Sequence, residues 1–345
     1  MSDIRLFRLT AGKAAELQGD ASDLEKPLQT LIEANLDALL GIRFLATEYS
    51  TGKTHGGRID SLGIDENDCP VILEYKRSVG ENVINQGLFY LDWLLDHKAE
   101  FKLLVMDVLG ADAAQRIDWS APRLVCIAAD FTKFDGHAVQ QIDRNIELIR
   151  YRRFGTDLLL LELANAVSAS GRNGRSANNR GTRSGRPIES AAEVAPMVDA
   201  AVDSEDAAPR GKDRPYSESL QLLAPAQREV LDALHDHLLS LGDDVQHKEL
   251  KLYAAYKRLK NFTTVVLQKK GVLVYLKLDP ADLGPLPAIA RDVTHIGHWG
   301  TGDLEFCLSS MADLDAVKPF LTMAYEGRAR TPSLSAPDAA TASLR

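Results

Sequence analysis

The sequence is poor in cysteine. Its three cysteines, Cys69, Cys126 and Cys307, are far apart and odd in number. That spacing excludes a disulfide framework and a CxxC zinc site, and suits a reducing cytoplasm. No apolar run reaches the roughly 20 residues that span a bilayer, so no membrane is expected. The first residues, Met1-Ser2-Asp3-Ile4-Arg5, show no basic segment leading into an apolar stretch, and a secretory signal is not expected. There is no surplus of positive charge either: 40 Lys and Arg stand against 49 Asp and Glu, a net charge of −9. This excludes a protein coated in positive charge, but not one with a local basic patch.

What is present is an ordinary globular composition, 45% hydrophobic and 26% charged over 345 residues. That length suggests about two domains. Composition divides the chain. Residues 1–165 are dense in apolar residues. Residues 166–214 are Ser, Gly, Asn and Arg followed by an Ala-rich acidic stretch, a composition that cannot offset its ordering entropy, and read as a flexible linker. Residues 215–327 are periodic again. Residues 328–345 are Ala, Ser, Thr and Pro, and read as a disordered tail.

In the first segment, Ser22 and Glu25 have the spacing of a capping box. Leu28, Leu31, Ile32, Leu36, Leu39 and Leu40 follow at helical spacing, and Gly41 reads as the stop. Strands are expected at 4–9, 42–49, 57–64, 71–77, 123–129, 146–152 and 157–163. Helices are expected at 81–96, 97–109 and 135–142. A mixed sheet flanked by helices is the economical architecture.

The polar turn Asp65-Glu66-Asn67-Asp68-Cys69 joins two strands into an antiparallel hairpin. With Ile64 opposite Pro70, Asp60 falls opposite Glu74. Two carboxylates facing each other across a ladder repel. A hard divalent cation between them resolves the repulsion. Lys76, two residues beyond Glu74, shares its face. There it is placed to orient a water or meet phosphoryl charge, which completes the parts of metal-assisted phosphodiester hydrolysis. A solvated strand face carrying Asp, Glu and Lys is the plainer alternative.

The run Arg58-Ile59-Asp60 through Glu74-Tyr75-Lys76 resembles the core of the PD-(D/E)XK, or restriction-endonuclease-like, nuclease superfamily. Gln86 and Tyr90 add the Q-x-x-x-Y of its RecB-like branches. Glu25-Lys26-Pro27-Leu28-Gln29, with Asn35, resembles archaeal-type endonucleases that cut mismatched or branched DNA. The resemblance covers roughly residues 20–163, with Ile59 where the superfamily name expects proline. It implies a restriction-endonuclease-like α/β domain and a Mg2+- or Mn2+-dependent endonuclease. Asp60, Glu74 and Glu25 would hold the metal, Lys76 would position the nucleophile, and Gln86 would support the site. The expected partner is nucleic acid, with DNA favoured. Arg58, Arg77 and Tyr90 are candidates to touch it. A homo-oligomer is compatible with the sequence.

In the second segment, residues 216–240 read as one amphipathic helical stretch. Lys248, Lys251, Lys257, Arg258, Lys260, Lys269, Lys270 and Lys277 then stand against one acid, Glu249, with Tyr253, Tyr256, Phe262 and Tyr275 interleaved. A second hairpin, 262–268 and 272–278, turns at Lys269-Lys270-Gly271. Lys257, Arg258, Lys260, Lys269 and Lys270 are the candidate nucleic-acid cations here. A small α+β domain with a solvated lysine face and core tyrosines is the competing reading. As a metal site, His295 and His298 would need a third ligand, such as Asp303. The segment reads instead as a tight loop with a buried Trp299. This half resembles an uncharacterised bacterial domain whose members are sometimes labelled transport proteins. Two non-enzymatic functions stay open for the whole chain: a nucleic-acid-binding module, and a protein-interaction protein on a nuclease-like fold.

Overall fold

The structure is a computed structural model and describes residues 4–19, 25–76, 83–167 and 214–327. The Ser22 cap, Arg77, most of the 166–214 linker and the 328–345 tail lie outside the described residues, as does the Glu25 side chain. None of the described helices is long and apolar enough to cross a membrane.

The architecture is α+β with two six-stranded sheets among the described residues. A short antiparallel hairpin, β1 (Leu6–Thr10) and β2 (Lys13–Leu17), comes first. Helices α1 (Glu25–Ala34) and α2 (Leu36–Leu40) follow. Gly41 ends α2 at φ 65, the left-handed conformation that the sequence predicts for a helix-stopping glycine. The first sheet then runs β3 (Ile42–Ser50), β4 (Arg58–Asp65), β5 (Pro70–Lys76), β6 (Arg123–Ala128), β7 (Asn145–Phe154) and β8 (Leu158–Val167), in that spatial order. A short helix, α3 (Gly52–His55), joins β3 to β4. β5, β6 and β7 are parallel, and the outer pairings are antiparallel.

The crossover from β5 to β6 carries α4 (Val83–Asp96), α5 (Lys98–Leu109) and α6 (Ala111–Arg116), and that from β6 to β7 carries α7 (Lys133–Val139). One face of the sheet buries Leu62, Ile72, Leu124 and Leu148 under Leu91, Leu94 and Phe101. The other buries Val71, Leu73, Val125 and Ile127 under Leu28, Ile32 and Leu36. Both faces are covered, which is why the central strands read as nearly continuous apolar runs.

Gly63 of β4 leaves no room for a side chain. A Cβ there would meet Ile42 Cγ2 at 2.5 Å and the Arg43 carbonyl oxygen at 2.9 Å. The second contact is backbone and cannot swing away. Gly63→Ala is expected to cost about 1–3 kcal/mol, read as a lower urea midpoint at unchanged slope.

The second half does not begin with one long helix. The predicted 216–240 stretch breaks into α8 (Tyr216–Gln221) and α9 (Pro225–Ser240). Pro225 lacks the N–H needed to continue a helix and sits at the first position of the second one. An antiparallel sheet follows: β9 (Gln246–Glu249), β10 (Ala254–Lys257), β11 (Asn261–Gln268), β12 (Gly271–Leu276), β13 (Ala290–Asp292) and β14 (Leu304–Leu308). α10 (Met311–Glu326) closes the domain. One face of this sheet packs on α9 and α10 through Leu234, Leu238, Leu314 and Leu321. Its other face packs Tyr253, Ala255, Val266 and Tyr275 together with Cys69 and Ala121 of the first half.

Candidate active site and the interdomain clamp

The hairpin of β4 and β5 has the predicted register. Ile64 pairs with Pro70, and the ladder runs through Ser61 and Leu73. The next position places Asp60 beside Glu74, and the side chains lock there. The Asp60 N–H donates to Glu74 Oε1 at 3.3 Å, and the Tyr75 N–H donates to Asp60 Oδ2 at 3.0 Å. This pair sits at the carboxyl end of β5, first of the three parallel strands, where open α/β sheets present their ligand sites.

Glu74 is 0% exposed, while Asp60 is half-buried. Glu74 Oε2 is buried without a hydrogen-bond partner. Its carboxyl is pushed up to about 9, first by burial and then by the Asp60 charge, with Lys76 pulling in the opposite direction. The cause is plain: one carboxylate out of water beside another holds its proton unless a cation arrives. Two converging carboxylates, one with an orphaned oxygen, fit a hard divalent cation, and Asp60 and Glu74 are the residues that could hold it. Lys76, half-buried, stands two residues along the same strand.

The remaining predicted residues divide. Gln86 reaches Tyr90, its Nε2 lying 3.5 Å from the tyrosine oxygen. Tyr90 is buried, and its hydroxyl accepts the Arg58 N–H at 3.2 Å. It fits only because residue 57 is glycine: a Cβ there would lie 2.6 Å from the Tyr90 ring. Tyr90 therefore fixes the start of β4 and does not face nucleic acid. Arg58 is exposed and lies 3.6 Å from Glu48. Glu33 accepts from Ser61 Oγ at 2.6 Å and from Gln29 Nε2 at 3.0 Å. Gln29 also donates to the Asp60 carbonyl at 2.7 Å, so α1 holds the backbone of the site. Among the described residues, no group of three or more His, Cys, Asp or Glu could hold a metal.

In the second half, Lys269 and Lys270 are exposed at the β11–β12 turn. Lys260 donates from Nζ to the Ala38 carbonyl at 3.0 Å. Arg258 pairs with Asp244 and lies over the Tyr325 ring. Two expectations are corrected. Trp299 is not buried but 44% exposed, because Gly300 and Gly302, at φ 91 and 135, turn the loop and pack it against Thr264 and the Leu276 backbone. His298 stacks on Tyr275 at 4.2 Å. Lys257 is not a surface cation but 2% exposed, and it cannot reach nucleic acid.

Lys257 belongs to a feature that the sequence did not announce. Its Nζ donates to both Glu147 oxygens, at 3.0 and 3.1 Å. Lys248 lies 3.5 Å from the same carboxylate. Arg123 grips Glu147 with two nitrogens at 2.9 and 2.8 Å, and Asp65 with a third at 2.7 Å. All five side chains are buried. Burial alone would raise the Glu147 carboxyl, yet the three cations hold it well below the usual range. Burial and then Arg123 push Lys257 down to about 7. Three cations against two anions leave one surplus charge, which release of a lysine proton would remove.

Around this cluster, Tyr253 donates to Asn67 Oδ1 at 3.0 Å and Asn261 Nδ2 donates to the same oxygen at 2.6 Å. Lys277 pairs with Glu66 at 2.7 Å, and the Asn261 N–H donates to Glu66. The second half is thus clamped onto the turn of the β4–β5 hairpin. The only signals for it were single charged residues set in apolar strands: Glu147 in Ile146-Glu147-Leu148, and Lys257 after Ala254-Ala255-Tyr256.

Comparison with known proteins adds the following. Residues 219–327 match a domain of unknown function (DUF5655). An uncharacterized protein of Haemophilus influenzae (strain ATCC 51907 / DSM 11121 / KW20 / Rd) is 27% identical over 327 residues, which is 94% of this chain and 100% of the relative. Two solved structures align with 38% of this chain, and the chain spans 48% of each. One is a repair endonuclease from Pyrococcus abyssi, at 18% identity and a TM-score of 0.25. The other is the EndoMS-dsDNA2 complex, at 17% identity and a TM-score of 0.21.

Proposed function

We propose that the first half of this protein is a metal-dependent nuclease that hydrolyses phosphodiester bonds, with DNA as its favoured polymer. The observation that carries the reading is Glu74: a fully buried carboxyl beside Asp60, with one oxygen lacking any partner. Such a group is costly unless it serves a ligand, and perturbed carboxylates in pairs cluster at functional sites. Asp60 and Glu74 would hold a divalent ion such as Mg2+ or Mn2+. When bound, that ion supplies positive charge to the phosphoryl oxygens and acidifies a water.

The chain's own residues do the rest. Lys76 presents an ammonium on the face of Glu74, where it orients the attacking water and meets developing negative charge. Gln29 and Tyr90 pin the β4 backbone on either side of Asp60, through the Asp60 carbonyl and the Arg58 N–H. That keeps the carboxylate pair within the narrow tolerance that in-line attack requires. The exposed Lys269 and Lys270, on the second half, are left as contributors to phosphate contact.

The test is cleavage of labelled single-stranded, duplex and branched DNA, and of RNA, by the full chain with Mg2+, Mn2+ or EDTA. Metal-dependent cutting is expected with wild type, and none above background with Asp60→Ala. Cutting that persists in the variant would place the chemistry elsewhere. Absence of cutting by wild type on every substrate, with binding retained in EDTA, would replace the enzyme with a nucleic-acid-binding module.

A further inference from the structure

The two edges of the first sheet differ. β3, at one edge, is blunted: it carries Arg43 and Glu48, shifts register between Phe44 and Ala46, and holds Glu48 at φ 50. Charges and irregularities of this kind keep an edge from recruiting another strand. β8, at the other edge, has little such protection. Its sequence is LLLLELANAV, and its single charge, Glu162, is taken by Arg150 at 2.9 Å. Its register shift falls at Ala164, past the leucines. Among the described residues β8 pairs with β7 alone, so its outer row of N–H and C=O groups has no ladder partner.

A cavity of about 810 Å3 lies along this edge. Leu160–Leu163 line one side of it, and Arg258–Phe262 of the second half line another. Such a volume is within the usual range of ligand clefts. Its apolar lining includes Leu39, Leu161, Leu163 and Leu259, all half-buried against the core. Most of the charges around it are answered: Arg258 by Asp244, Lys277 by Glu66, and Glu162 by Arg150. Lys260 is different. Among the described residues no carboxylate pairs with it, and its Nζ donates to the Ala38 carbonyl at 3.0 Å. An ammonium has three N–H donors, so that bond leaves two for an anion.

These features select the occupant. The second half stands across the cavity, so another folded sheet cannot reach this stretch of the edge, whereas one extended segment can. An alkyl chain would fill the leucine lining but cover the outward N–H and C=O groups without pairing them, which is costly. A strand pairs them, offers apolar side chains to the leucines, and brings a carboxylate to Lys260. We propose that the free edge of β8 docks an extended segment of a partner protein in which apolar and acidic residues alternate, added as a further strand of the first sheet. This site does not depend on the nuclease reading.

The probes are fluorescein-labelled octapeptides, read by anisotropy against the full chain. One alternates Val and Asp, and a second alternates Val and Lys. Two more have the Val-Asp sequence N-methylated at its Val or at its Asp positions, because only alternate residues of a paired strand bond the neighbouring strand. The Val-Asp peptide is expected to bind, and the Val-Lys peptide to bind at least about tenfold more weakly. One methylated peptide is expected to lose binding and the other to keep it, a contrast that side-chain contacts alone would not give. Lys260→Met is expected to weaken the Val-Asp peptide about fivefold, the worth of a half-exposed ion pair, at an unchanged melting temperature. Absence of binding by the Val-Asp peptide, equal binding of the two methylated peptides, or full affinity in Lys260→Met overturns the site. So does displacement of the peptide by an equal concentration of dodecanoate, which would make the occupant an alkyl anion. A wild-type dimer that the peptide dissociates also overturns it, by making the occupant a second copy of this chain.

Discussion

Glu147→Gln is expected to destabilise the whole protein by about 3–5 kcal/mol, the usual cost of removing one partner from a buried ionic cluster. The carboxylate is 1% exposed and receives Arg123, Lys248 and Lys257. Without its charge, three cations remain against Asp65 alone, in a place where water cannot screen them. Urea denaturation of the variant should show a much lower midpoint. The companion Lys257→Met should be mild, because it removes the surplus cation and leaves an apolar chain of similar length. It should also alter the pH profile. Lys257 ordinarily titrates near 10.5 and is pushed down to about 7 in the fold. The folded protein therefore lacks a proton that the unfolded chain binds between those values, so this group makes stability rise from pH 7 to about 10.5. Lys257→Met should flatten that rise. In the double variant the cost of Glu147→Gln should shrink, and the coupling is read directly from the cycle.

Glu74→Gln should separate chemistry from folding. Burial and Asp60 raise this carboxyl from 4.5 to about 9, so in the metal-free protein it carries its proton at neutral pH. Glutamine resembles the protonated acid in shape, keeps an oxygen for the Asp60 N–H, and offers N–H groups to the Asp60 carboxylate. At pH 4 in EDTA, where the acid is protonated in both the folded and unfolded chain, the variant should match wild type within about 1 kcal/mol. The two should part as pH rises. Between 4.5 and about 9 the folded wild type holds a proton that the unfolded chain has released, so this group's contribution is complete below 4.5 and fades toward 9. Wild type should lose stability relative to the variant across that window, on the order of several kcal/mol in total. Added Mg2+ should raise the melting temperature of wild type but not of Glu74→Gln. Cleavage should fall by more than about a hundredfold, the scale on which metal-site residues act. A variant that still cuts, or still responds to Mg2+, would remove Glu74 from the site.

Much of the first half was legible because its signals are local. The polar turn at 65–69 set the hairpin register, and with it the meeting of Asp60 and Glu74. Gly41 ended its helix as a left-handed cap. Pro225 carried a break that the leucine spacing across 216–240 concealed, since periodicity reports a buried stripe and not backbone continuity. The clamp was illegible for a different reason. A lone Lys257 or Glu147 reads as solvated, because burying a charge is unfavourable unless a partner arrives, and here the partner lies 110 residues away in the chain. Trp299 misled in the opposite sense. Aromatics default to the core, and only the backbone angles of Gly300 and Gly302 show that this loop turns its ring outward.

One hairpin carries the carboxylate pair at its open end and the clamp at its turn. Descent is constrained accordingly. Either sheet can drift in sequence over most of its surface, but Glu147 cannot lose its charge while Lys257 keeps its own, since that strands unpaired cations in a dry interior. Where one lineage trades the carboxylate for an amide, the lysine should be gone as well, and the two positions should co-vary across relatives as though they were neighbours in the chain.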